Sequence, residues 1–116
     1  MCEEYWQLRF KSLEEASDGE QAFEKIQERR SNLVISDWNV ERVSGEQLLE
    51  RIRADKNHAD LPFIMMSADS TIVKIVKAKR AGVTCYIRKP FGGEELRGKI
   101  LQINTRQRLV AVVAPV

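Results

Sequence analysis

Residues 32–37 read NLVISD: three apolar side chains in a row, closed by a serine and a carboxylate. A continuous run of this kind, without the apolar–polar alternation of a half-exposed strand, is what a strand buried on both faces carries. Two further stretches share its plan. PFIMMS (62–67) ends in Ser67, and VTCYIRKP (83–90) leads to Lys89 and Pro90. Proline at the start of the first is tolerated because the lost donor falls at a strand end. Helical spacing fills the intervals. Ala22, Phe23 and Ile26 make one stripe over Gly19 to Arg29, with Asp18 placed to cap it. Leu48, Leu49 and Ile52 make another, from Ser44-Gly45 to about Ala54. Thr71 to Arg80 carries Ile72, Val73, Ile75 and Val76 and stops at Ala81-Gly82, with glycine where a C-cap belongs. Gly93 to about Thr105 carries Leu96, Ile100 and Ile103. Leu13 to Ala16 is a short strand, Arg108 to Val113 (RLVAVV) a last one, and residues 1–8 are expected to form two helical turns with Tyr5 and Leu8 inward. Short apolar runs alternating with helices predict an α/β domain with a doubly wound parallel sheet of about five strands.

Composition bounds the rest. The 116 residues make one domain with one core, and no repeat or Pro-rich linker divides them. Net charge is +2, from 19 Lys and Arg against 17 Asp and Glu, so the chain does not read as an electrostatic nucleic-acid binder. The longest apolar run, Leu109 to Val116, is eight residues, against about 20 needed to span a membrane. The acidic, polar start (MCEEYWQLRF) is unlike a secretion signal, and Cys2 and Cys85 with a single histidine make no zinc spacing. A cytoplasmic protein with reduced thiols is expected.

In a parallel α/β sheet, sites form beyond the carboxyl ends of the strands. Asp37, Ser67 and Lys89 stand at three such ends. A carboxylate can attack a phosphoryl donor and become an acyl phosphate, a lysine can pair with a phosphoryl oxygen, and a hydroxyl can donate to another. Each residue alone is more often a turn, a cap or a solvated charge. Three in register with three strands outweigh that reading. A flavodoxin-like ligand binder or small enzyme on the same architecture needs a Gly-rich or Ser/Thr-rich phosphate loop after a first strand, and the sequence has none.

At this point the chain resembles the receiver domain of two-component response regulators, and among them the chemotaxis type, CheY-like and flavodoxin-like in fold. The resemblance is carried by EEASDG (14–19), LVISDWN (33–39), LLERIRAD (48–55), LPFIMMSA (61–68) and AGVTCYIRKPF (81–91), and extends from residue 1 to about 107. It implies a non-enzymatic phosphoprotein of a phosphorelay. Asp37 matches the phospho-acceptor, Ser67 the hydroxyl that follows the phosphoryl group, Lys89 the signature lysine, and Tyr86 the aromatic switch. Asn39 matches the position that offers its backbone carbonyl to Mg²⁺, with Asp37 as a carboxylate ligand. The implied partners are a sensor histidine kinase or phosphotransfer protein and a downstream target, the latter at the face formed by residues 71–103. Lys74, Lys77, Lys79 and Arg80 make the first helix of that face basic.

The sequence departs from the family at two places. Laid on the family pattern, Met1 falls inside the first helix, so the central strand and the acidic pair that ends it have no counterpart at the N-terminus. Glu3 and Glu4 fall too far down that helix to substitute, and Glu41 stands where proline is usual. Residues 108–116, beyond the truncated receiver at 1–107, have the composition of a buried strand. The expectation is that this segment fills the central lane, by a right-handed return over the face of the last helix. The same strand supplied by a second chain would give a swapped homodimer. Because it ends Ala-Pro-Val, Mg²⁺ binding is expected to be weak, Lys89 to pair directly with Asp37, and phosphotransfer to be impaired. The alternative is a pseudo-receiver that acts as an interaction or dimerisation module without phosphotransfer.

Overall fold

The computed structural model describes residues 10–29, 31–39, 43–68, 71–103 and 109–114, with side chains from residue 13 onward except that of Arg29. Its elements are β1 (Phe10–Glu15), α1 (Gly19–Arg29), β2 (Leu33–Asp37), α2 (Gly45–Ala54), β3 (Phe63–Ser67), α3 (Ile72–Ala81), β4 (Cys85–Arg88), α4 (Gly93–Leu101) and β5 (Leu109–Ala114). All strand pairs are parallel, in the order β1-β5-β2-β3-β4. β5 therefore lies between β1 and β2, the lane that the sequence assigns to Leu109–Val113, and the sheet is completed within one chain. The expected helix at residues 1–8, together with Cys2, Glu3, Glu4 and Glu41, falls outside the described residues.

Strand side chains alternate between two faces, and both are covered. Val34, Phe63, Met65, Val112 and Ala114 point into a core shared with Ala22, Ile26, Leu48, Leu49, Ile52 and Ala78 of α1, α2 and α3. Leu33, Ile35, Ile64, Met66, Leu109 and Ala111 point the other way, to Ile100 of α4 and to Ile103. Two-sided burial is the physical reason these strands lack alternation in the sequence. Asn32 pins the start of β5: its side-chain oxygen accepts from Val110 N–H at 2.7 Å, and its own N–H donates to Val110 O at 2.9 Å.

Some boundaries differ from expectation. β1 begins at Phe10 rather than Leu13, with a register irregularity between Phe10 and Ser12. Lys11 and Ser12 hide this from a pattern reading, and an edge strand tolerates them. α4 ends at Leu101 rather than near Thr105, and Ile103 N–H then bonds to Ile100 O at 3.0 Å, a tightened last turn. Ile72 and Val73 of α3, apolar at helical spacing, face outward at 79% and 64% exposure.

The helix caps follow the sequence. Asp18 accepts from Gln21 N–H at 2.8 Å. Ser44 and Gln47 form a reciprocal capping box. Gly82 closes α3 in the left-handed region at φ 95°. Arg53 clamps that end to its neighbours, donating from Nε to Gly82 O at 2.9 Å and from Nη1 to Leu61 O at 2.6 Å. Arg53→Met keeps the stem and leaves both carbonyls without the guanidinium. It is expected to cost about 2 kcal/mol in a urea melt. A cost under ~0.5 kcal/mol would show that water replaces the clamp.

Candidate functional site

The carboxyl ends of β2, β3 and β4 lie side by side, because Asp37 is in register with Met66 and Ser67 with Arg88. Asp37, Ser67 and Lys89 are thereby brought to one edge of the sheet. Lys89 Nζ forms an ion pair with Asp37 Oδ2. The Lys89 side chain is 39% exposed and that of Asp37 13%, so the pair sits at the mouth of the site with its carboxylate turned inward. The second carboxylate oxygen, Oδ1, accepts from the Asn39 N–H at 3.0 Å. Both oxygens of Asp37 are thus engaged.

Ser67 is buried at 1% exposure, and its carbonyl accepts from the Lys89 N–H at 2.8 Å, holding β3 and the lysine together. The Lys89–Pro90 peptide is cis. Tyr86 lies on β4 in register with Met65 and packs, half-buried, against the core on the α1–α3 side. Trp38, directly after the carboxylate, is buried. Its N–H donates to Met66 O at 2.8 Å and its carbonyl accepts from Gly45 N–H at 2.9 Å. The start of α2 therefore abuts the backbone that carries Asp37.

The donor set fits a divalent cation poorly. Mg²⁺ is normally held through carboxylates, and among the described residues no cluster of three metal-ligating side chains exists. On the strand beside β2, Ala114 stands opposite Ser36, so among the described residues the central lane brings no carboxylate to Asp37. Asp37 itself already holds a lysine and a backbone N–H.

The sequence pattern of the response regulator receiver domain matches residues 3–101. The chain belongs to this family. It is 36% identical over 99 residues to the chemotaxis protein CheY-3 of Vibrio cholerae, covering 85% of this chain and 76% of that one. To the chemotaxis protein CheY of Pseudomonas aeruginosa it is 34% identical, covering 85% and 80%. Among solved structures, the receiver superposes on Vibrio cholerae CheY4 with a TM-score of 0.72 at 27% identity, covering 77% of this chain and 74% of that one. The receiver domain of a sensor histidine kinase from Pseudomonas aeruginosa, solved with magnesium in its active-site cleft, gives 0.65 at 29% identity, covering 75% and 70%. The chain is a CheY-like receiver of two-component signalling. Sequence reading did not find two features of its site: the close approach of Gly45, and the cation that rests on Trp38. Lys74 Nζ lies 4.7 Å from the centre of the Trp38 indole. A tryptophan directly after the carboxylate was the available signal for the second.

Proposed function

We propose that this receiver accepts a phosphoryl group on Asp37 slowly and signals through the face at residues 71–103. The observation that carries the reading is the Asp37–Lys89 ion pair at the carboxyl end of the sheet, beside Ser67. In loading, an Asp37 oxygen attacks the phosphorus, the donor's bond to phosphorus breaks (phosphorus–nitrogen in a phosphohistidine, phosphorus–oxygen in acetyl phosphate), and the leaving group departs with the electron pair. Lys89 releases that carboxylate oxygen and pairs with a phosphoryl oxygen, and the Ser67 hydroxyl donates to another. What is short is positive charge. Among the described residues one lysine is paired with the carboxylate that becomes a dianionic acyl phosphate, and the neighbouring strand end supplies Ala114 where a ligand carboxylate would serve. Asp37 is a phospho-acceptor in this reading, not an enzyme's turnover nucleophile.

Upstream, a histidine kinase or phosphotransfer protein is the donor. Downstream, the target is a protein that meets α3, whose Ile72, Val73 and Val76 are exposed among Lys74, Lys77, Lys79 and Arg80. Relatives named as chemotaxis proteins make a cytoplasmic motility circuit the setting to test first. Among the described residues no helix is long and apolar enough to cross a membrane.

The test is incubation with acetyl phosphate and Mg²⁺, read by intact mass, beside the Pseudomonas aeruginosa relative as reference. Loading is expected on the order of 100-fold slower than the reference and abolished by Asp37→Asn. Loading as prompt as the reference's would overturn the impairment. A second reading, a phosphorylation-independent interaction or dimerisation module, is favoured by the engagement of both Asp37 oxygens. A chain that gains no phosphoryl group at any time supports it.

A further inference from the structure

We infer that Lys74 is a positioning residue that ties the first turn of α3 to the loop carrying Asp37, so that the charge at Asp37 is felt on the partner-facing helix. The inference rests on reading Asp37 as the acceptor and α3 as part of the output face. α3 is held unevenly. Its one buried residue, Ala78, lies in its second half, and its C-terminal end is fixed by Gly82, by Arg53 and by the Val83 N–H bond to Ala78 O at 3.1 Å. The first turn instead carries the exposed Ile72 and Val73. There, Lys74 reaches the body of the domain, with its ammonium over the indole of Trp38.

Trp38 is a rigid platform. It is 7% exposed, and its backbone is bonded on both sides, to Met66 and to Gly45. A cation over an indole within about 6 Å is attracted to the ring face, most strongly when partly shielded from water. Trp38 adjoins Asp37 in the chain, so a change in the charge or pairing of Asp37 acts on the loop that bears the platform and on the ammonium resting upon it. The consequence for a partner is steric as well as electrostatic, because Lys74 is followed one turn on by Lys77 and flanked by the apolar patch.

The experiment is amide NMR on the full chain, comparing Asp37→Asn with its parent in three backgrounds: unaltered, Lys74→Met and Lys74→Arg. In the unaltered and Arg backgrounds, Asp37→Asn is expected to shift the amide resonances of residues 72–76. In the Met background those shifts are expected to fall by at least half, while shifts at Ser67 and Lys89 persist. Hydrogen exchange of the Ile75 amide, bonded to Thr71 O at 3.1 Å, should quicken about five-fold in Lys74→Met. Equal α3 shifts in the Met background, or failure of Arg to restore them, would overturn the inference. Should Lys74→Met lose the folded spectrum, Lys74→Gln gives the same comparison. No phosphodonor is used, so the outcome is separate from whether Asp37 loads: the mass assay tests the acceptor reading and this one tests the link.

Discussion

Val112→Asp should abolish cooperative folding at 25 °C. Val112 is completely buried at the centre of β5, in a core shared with Ile26, Val34 and Phe63, and pairs with Glu14 on one side and Val34 on the other. A carboxylate there must either stay charged without a partner or take up a proton, and either state costs several kcal/mol. The whole margin of a domain is roughly 5–15 kcal/mol. Deletion of residues 109–114 should be more severe. It strips β1 of its ladder partner and β2 of one of its two, and unsatisfied buried backbone groups cost roughly 1–3 kcal/mol each. Val112→Ala, which leaves a smaller void, should fold with a loss of about 2 kcal/mol. Urea titration followed by circular dichroism separates the three. A deleted chain that melts where the full chain does would mean that the centre of the sheet is built from something else.

Gly45→Ala is expected to destabilise by about 2–3 kcal/mol, against the sign that helix propensity gives. Alanine in a helix interior is ordinarily better than glycine by roughly 1 kcal/mol. Here a Cβ would stand 2.4 Å from Asp37 O, 2.9 Å from Met65 Sδ and 3.0 Å from Trp38 Cα. Two of those atoms are backbone, so relief requires α2 or the acceptor loop to move, and overpacking of this kind typically costs 1–3 kcal/mol or more. Gly98 in α4 is the internal control, because a Cβ there meets nothing within 4 Å. Gly98→Ala should raise the melting temperature by about 3 °C, while Gly45→Ala lowers it by about 10 °C. The displacement should also reach the Asp37–Lys89 pair, visible as shifted Lys89 resonances. A Gly45→Ala protein as stable as its parent would show that the loop yields without cost.

The elements with buried stripes were legible because burial leaves a periodic mark. Leu48, Leu49 and Ile52 are all buried at their helical spacing, and Leu33, Val34 and Ile35 all lie in a two-sided strand. α3 was legible as a helix but its orientation was not: Ile72 and Val73 belong to an apolar set at helical spacing and face solvent, and periodicity does not tell a core face from a partner face. The edges of β1 and α4 were set by pairing and end-tightening, which leave little trace in residue type. Three members of the site, Asp37, Ser67 and Lys89, were readable from their places after apolar runs. Gly45 and Lys74 were not, since their roles depend on distances between segments of the chain. The central place of β5 followed from counting lanes in the family pattern, not from the composition of RLVAVV, which suits any interior lane.

The strand order also sets a timetable. β1 shares no ladder with β2 and meets the rest of the sheet only through β5, which leaves a ribosome after every other strand of the sheet. Until residue 114 has emerged, the nascent receiver shows two open strand edges flanking an apolar cleft. Such a chain is a natural client for a chaperone, and in the cell its yield should depend on that protection more than its final stability suggests.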